Sequence, residues 1–189
     1  HAGAPRWRSN PHNPSGRLAA DDEHAAVWDE AFYPLATGEW TRGDDAIVVG
    51  SLTKVFACPG LRVGYVLCPT AAAAAALRAR QPEWSVNGIA CAVVPELLEQ
   101  AEVKQWRDQI ADLRADLVDQ LARHGLDADP SDACFVLVRH APGLRTHLAR
   151  SGVLVRDTTN FGIVNGARVA VPDADGFARL AAALEGYET

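Results

Sequence analysis

The chain holds 2 lysines against 16 arginines, so chemistry that needs a nucleophilic amine has few places to sit. Lys54 ends the run Ser51-Leu52-Thr53-Lys54, and Pro59-Gly60-Leu61-Arg62-Val63-Gly64-Tyr65 follows a few residues later. A lysine with two hydroxyls just before it and an arginine eight positions after it can together hold a phosphorylated aldehyde. The amine condenses with the carbonyl, while hydroxyls and a planar guanidinium surround the phosphate. Lys104, on the polar side of a helical pattern, reads as ordinary surface. Each of these features also has a plainer use. Ser-Leu-Thr-Lys serves as a surface turn in most proteins, a lone Arg62 as a solvated charge, and Asp29-Glu30 after a strand as a helix cap.

The elements that would position these groups follow from turn residues and periodicity. Asn10-Pro11-His12-Asn13-Pro14-Ser15-Gly16 is a turn by composition. Ala25 to Trp28 predicts a short strand running into Asp29, and Ala46 to Gly50 and Val63 to Cys68 predict buried strands. Strands ending at Asp29 and near Ser51 place both side chains at one rim of a sheet, where open α/β sheets bind ligands. Ala71 to Arg80 predicts a helix, and a second helical stretch begins near Val86. From Pro95 onward Trp106, Ile110, Leu113, Leu117 and Leu121 recur at helical spacing, and Gly125 closes that helix. Beyond it the pattern predicts strands at Ala133 to Arg139, Gly152 to Arg156 and Arg168 to Val171, with helices at Gly143 to Arg150 and Gly176 to Leu184. The whole is α/β, with a sheet domain over residues 1–92 and a linker helix plus a smaller domain over 93–189.

Composition narrows the function. With 189 residues and 48% apolar content the chain can bury a core. A formal charge of -6 argues against nucleic acid, and no apolar run reaches membrane length. Cys58, Cys68, Cys91 and Cys134 are widely spaced, which predicts free thiols in a cytoplasmic protein. His12, His24, His124, His140 and His147 have no metal-ligand spacing and read as turn or surface residues. The chain starts at His1 and contains no methionine, so either a translation start has been removed or the gene product is longer.

Three segments, taken in order, resemble motifs of the fold-type-I pyridoxal-phosphate (PLP) enzymes in their aminotransferase class I/II branch. They are Asn10 to Gly16, Asp29-Glu30-Ala31-Phe32, and Ser51 to Lys54 with Pro59 to Tyr65. The resemblance implies part of the large PLP-binding sheet domain joined to the small carboxy-terminal α/β domain. It implies PLP as cofactor, Lys54 as the Schiff-base lysine, and Ser51, Thr53 and Arg62 as phosphate ligands. Asp29 would pair with the pyridine nitrogen, Ala31 would pack under the ring, and Asn13 would reach the phenolic oxygen. Phe32 stands where many aminotransferases have a tyrosine, which removes one donor to that oxygen. Val153 to Asp157 with Asn165 to Ala170 is similar to the family's carboxy-terminal region, implying that Arg168 clamps the substrate carboxylate. Arg156 stays open between a substrate-phosphate ligand, a domain-packing residue and plain surface. A homodimer with an amino-acid substrate is implied, with neither nucleic acid nor membrane as partner.

The motifs look most like histidinol-phosphate aminotransferases and the related cobalamin-pathway proteins, threonine-phosphate decarboxylases among them. The expected activity is transamination of an amino acid or amino-acid phosphate. Decarboxylation of the threonine-phosphate type and a non-catalytic remnant of the fold are the alternatives. Gly16 to Asp29 is shorter than its family counterpart by about a helix, although crossovers between parallel strands usually contain one.

Overall fold

Ile47, Val48 and Val49 are three consecutive β-branched residues, and such runs settle on a pleated, buried surface. In the computed structural model, which describes residues 4–43 and 45–187, they form the third strand of a sheet. The elements of this region are β1 (Trp7–Ser9), β2 (Val27–Asp29), α1 (Tyr33–Thr37), β3 (Ile47–Gly50), α2 (Leu52–Val55) and β4 (Tyr65–Leu67). Among the described residues the sheet runs β1-β2-β3-β4; the first three strands are parallel and β4 returns antiparallel to β3. Trp28 and Val48 are buried, and the guanidiniums of Arg8 and Arg42 lie 5.7 and 5.1 Å from the Trp28 ring. Residues 1–8, which carry no firm signal in the sequence, contain the start of β1, and residues 1–3 lie outside the described residues.

The short connection between β1 and β2 is resolved without a helix. Residues 10–26 take an irregular path, longer than the dozen or so residues a parallel crossover requires. Its polar backbone is satisfied by turn bonds, such as Gly16 N–H to His12 O at 2.6 Å and Glu23 N–H to Ala20 O at 3.0 Å, and by side chains. Arg42 donates to the carbonyls of Ala20 and Asp21 at 3.1 and 2.8 Å, Asn10 Oδ1 accepts from the Ala19 N–H at 2.9 Å, and Arg8 pairs with Glu23.

After β4 come α3 (Ala71–Arg78) and α4 (Gly88–Glu99), capped at their starts by Thr70 and Asn87. The helix expected to run unbroken from Pro95 is two elements. Pro95 lies inside α4, the chain breaks after Glu99, and α5 begins at Val103 and runs to Arg123. The structure divides into two compact units. One contains residues through Pro11 with Ala19–Arg107; the other contains His12–Leu18 and the chain from Asp108 onward. The division therefore falls inside α5, not near residue 92. The start of α5 belongs with the sheet: Trp106 meets Phe56 edge-on at 6.1 Å, and Lys104 pairs with Glu39 at 3.2 Å.

The second unit adds β5 (Phe135–Val138), α6 (Leu144–Arg150), β6 (Arg156–Asp157), β7 (Ala167–Ala170) and α7 (Ala174–Leu184). Its strands run β5-β7-β6, all antiparallel. The predicted apolar stripe of α5 is the reason the unit closes: Leu117 and Leu121 are fully buried against Val136, Leu148 and Leu184. Gly125, in the left-handed conformation with φ 70°, ends α5 as its position predicts. The strand expected over Gly152 to Arg156 shrinks to Arg156–Asp157. Gly152 is left-handed and Val153 N–H bonds back to Leu148 O, so these residues close α6. No helix among the described residues is long and apolar enough to cross a membrane.

Candidate active site

Parallel pairing sets the geometry of the first unit. Asp29 ends β2 opposite Val49, and Ser51 follows β3, so both side chains leave the sheet at the same rim. Ser51 opens α2, a single turn anchored by buried Leu52 and Val55, and that turn carries Lys54. Lys54 Nζ stands 3.5 Å from Ser51 Oγ and 5.5 Å from the centroid of the Phe32 ring. One Asp29 carboxylate oxygen accepts from the Ala31 N–H at 3.0 Å, which turns the chain into the segment before α1.

The loop after α2 is bent twice into the left-handed region, at Ala57 and Arg62, both with φ 50°. For non-glycine residues that conformation persists only when neighbours enforce it. Thr53 is the enforcer. Its N–H and hydroxyl both donate to Val63 O, at 3.1 and 3.0 Å, and its hydroxyl accepts from Val63 N–H at 3.1 Å. Asn87 adds a second latch by donating to Leu61 O at 2.7 Å, and Arg62 donates to Pro59 O at 3.2 Å. Gly64 must lack a side chain, since a Cβ there would come within 2.6 Å of Gly50 O.

The result is an open hollow of about 320 Å³ lined by Asp29, Ala31, Ser51, Thr53, Lys54 and Arg62 together with backbone of β3 and the following loop. Six of the residues singled out from the sequence thus converge, with Phe32 against the lysine. A larger hollow of about 580 Å³ adjoins β4 and α3, but its lining contains neither lysine nor carboxylate, so the smaller one is the chemical candidate. Burial, and secondarily the charge of Glu30, push the Tyr65 phenol up to about 12.

Asn13, Arg156 and Arg168 belong to the second unit. Arg168 Nη1 donates to Asn13 Oδ1 at 2.6 Å, and its guanidinium carbon lies 4.7 Å from the Phe135 ring centroid. The loop bearing Asn13 is held by Asp132, whose N–H donates to Gly16 O at 2.9 Å and whose carboxylate accepts from Leu18 N–H at 3.0 Å. Arg156 is the direct partner of Arg168 across β6 and β7, and its guanidinium carbon is 5.8 Å from the Phe161 ring centroid. Burial pulls the Arg168 guanidinium below its ordinary value, and the like charge of Arg156 acts the same way against an opposing contribution from Cys134. The sequence reading missed the Thr53 and Asn87 latches and the rings beneath the two arginines. Asn87 was discoverable as an N-cap before an apolar run; the others join residues that pattern does not link.

The chain matches the family described as aminotransferase class I and II over residues 8–184. It is 34% identical to the histidinol-phosphate aminotransferase 2 of Methylococcus capsulatus, an alignment covering 94% of this chain and 54% of that protein. The chain thus spans about half the length of the curated relatives it matches. Among solved structures, the histidinol-phosphate aminotransferase of Clostridium acetobutylicum superposes with a TM-score of 0.82 at 23% identity, covering 95% of this chain and 62% of that one. The L-threonine-O-3-phosphate decarboxylase of Porphyromonas gingivalis gives 0.74 at 24%, covering 95% and 62%. The fold is shared with both. The chain belongs to the aminotransferase class I and II family and has the mixed α/β architecture of PLP fold type I.

Proposed function

We propose that the protein is a PLP-dependent aminotransferase acting on an amino acid or an amino-acid phosphate. The observation that carries this reading is the convergence of an amine, a carboxylate and a guanidinium in one hollow: Lys54, Asp29 and Arg62. That donor set fits PLP, which needs an amine for its aldehyde, an anion for its ring nitrogen and cationic donors for its phosphate. When bound, PLP supplies an electron sink for charge that develops beside the substrate nitrogen.

Lys54 would hold the cofactor's aldehyde through its amine, and the same amine would move the proton at the substrate Cα. The carboxylate of Asp29 would keep a proton on the ring nitrogen. Ser51 and Arg62, which line the same hollow, would hold the phosphate, and Ala31 would leave room for the ring. Thr53 takes part through the backbone it holds, since its hydroxyl proton already goes to Val63 O. Arg168 is the candidate for the substrate carboxylate and Arg156 for a second anionic group. Asn13 serves by steadying Arg168, beside the contact to the phenolic oxygen that the family resemblance implies.

Phe32 favours a second reading. Without a phenolic hydroxyl there, the site resembles the threonine-phosphate decarboxylases, and the bond broken at Cα would be the one to the carboxylate. Feeding O-phospho-L-threonine separates the two: a keto acid marks transamination and carbon dioxide marks decarboxylation. A homodimer is part of the proposal; Trp84, 95% exposed, and Ile89 supply apolar surface that a partner copy would cover, and light scattering tests it. Work in the cytoplasm fits the four free cysteines.

The deciding experiment is the intact mass after incubation with PLP and borohydride reduction. One reduced cofactor should be attached, and Lys54→Ala should carry none. An adduct that survives Lys54→Ala would refute the assignment, and a wild-type protein without adduct would favour the non-catalytic remnant.

A further inference from the structure

Arg156 and Arg168 are direct partners across β6 and β7, so their side chains stand on one face of the sheet. Like charges in that relation repel and weaken a sheet unless something offsets them. Neither is ion-paired to a carboxylate among the described residues. Each guanidinium instead lies over a ring of its own, Arg168 over Phe135 and Arg156 over Phe161. The two rings differ in setting. Phe135 is buried in the strand core, whereas Phe161 keeps 36% of its surface exposed, near Leu154 and Val164 in sequence, themselves 81% and 69% exposed.

The seat of Phe161 is nevertheless built with care for its position. It ends a 3-10 turn, Thr159–Phe161, whose start is fixed by Asp157 accepting from the Thr159 N–H at 2.9 Å. Thr158 is fully buried and donates its hydroxyl proton to Ile163 O at 2.9 Å. Gly162 closes the turn in the left-handed conformation, and a side chain at Gly166 would collide with the Thr158 hydroxyl. A ring so firmly placed and left open to solvent does not serve the core. Its face is available to a cation, and Arg156 lies there.

We propose that Phe161 is a positioning residue that holds Arg156 on the face it shares with Arg168, so that the pair takes a substrate bearing a phosphate ester as well as a carboxylate. The ligand class rests on the amino-acid-phosphate reading above; the anchoring of Arg156 does not. Residue-specific NMR on the full chain without cofactor tests it. The side-chain Nε–H signal of Arg156, assigned by its loss in Arg156→Gln, is followed as inorganic phosphate is added. In the wild type the signal is displaced by the ring and moves on titration. Phe161→Leu removes the displacement and weakens half-saturation about two- to fivefold, the equilibrium worth of an exposed cation–π contact. Phe161→Tyr restores both. With cofactor loaded, Phe161→Leu raises KM for a phosphorylated amino acid by the same factor and leaves kcat, and the unphosphorylated analogue, unchanged.

A wild-type Arg156 signal indifferent to phosphate overturns the proposal. So does half-saturation unchanged in Phe161→Leu, failure of tyrosine to restore it, or equal loss on both substrates. Failure of the PLP reading is visible separately, as a missing adduct at Lys54 while the Arg156 signal still responds.

Discussion

The lysine hollow and the arginine face are built in opposite ways. Ser51, Thr53, Lys54 and Arg62 sit within one helical turn and the loop after it, tied together by Thr53 and Val63 ten positions apart. The arginine face depends on Arg168 bonding Asn13 across 155 positions of sequence. Asp132 holds the loop of Asn13, which belongs to the second unit, through bonds to Gly16 and Leu18. Chemistry placed by short-range bonds is set as soon as its own segment folds. Chemistry placed by distant residues inherits every change in the packing between them. Substitutions in the two regions should therefore fail differently.

The largest effect is expected at Lys54. Lys54→Ala should lower turnover by at least about a thousandfold while stability stays within about 0.5 kcal/mol, since among the described residues the amine meets only Ser51 and the Phe32 ring, at long range. Chemical denaturation beside single-turnover kinetics checks both halves. Arg168→Gln comes next. Charge-assisted hydrogen bonds are worth about 1.5–3 kcal/mol, so kcat/KM should fall roughly 10- to 150-fold. Asn13→Ala should reproduce a smaller part of that loss, about fivefold, although Asn13 carries no charge. If Asn13→Ala leaves kcat/KM untouched, the distant bond does not matter to the site and the contrast between the regions weakens.

The same contrast explains what could be read from the sequence. The rim bearing Asp29 and Ser51 was legible because a short apolar stretch marks β2 and a β-branched run marks β3, and residues at strand ends fall where the strands stop. The core of the second unit was legible from the four-and-three spacing on α5. Short elements were not: α1 and α2 are single turns with no period to detect. The break between α4 and α5 was hidden because Glu99-Gln100-Ala101-Glu102 are all helix-forming residues with no glycine or proline among them, and β6 was lost because Gly152 serves α6 instead. The helix-free crossover depends on Arg42 reaching back to Ala20 and Asp21, a contact that no local pattern encodes.

Within the hollow, Thr53 and Arg62 separate the part that holds shape from the part that binds. Thr53→Val keeps the shape of the side chain but removes its donor and acceptor, leaving the Val63 N–H and carbonyl with one partner fewer. A loss of about 1–3 kcal/mol in urea denaturation is expected, with cofactor binding weakened alongside, while Thr53→Ser should retain both. Arg62 is the converse case. Its left-handed backbone suits glycine, so Arg62→Gly should be about 1 kcal/mol more stable than Arg62→Ala, while both lose cofactor affinity to the same extent. Equal stability of the two variants would mean the loop relaxes out of that conformation.

The smallest effect concerns the strand that returns from the hollow. Tyr65 donates to Trp40 O at 3.0 Å, and burial, then Glu30, raise its phenol to about 12 from a model value of 10.0. The folded state therefore holds the phenol proton more tightly than the unfolded chain. Its contribution is complete below pH 10 and is lost as pH climbs through 10 toward 12. Tyr65 is only partly buried, so solvent screening should keep the loss to about 1 kcal/mol across that window. Alkali acts on the rest of the protein as well, so the informative quantity is the wild type minus Tyr65→Phe. Tyr65→Phe should start less stable at pH 8, having lost the bond to Trp40, and the gap should narrow by pH 11. A gap of constant width would mean that the phenolate is tolerated beside Glu30 and that burial of the Tyr65 phenol does not link stability to pH.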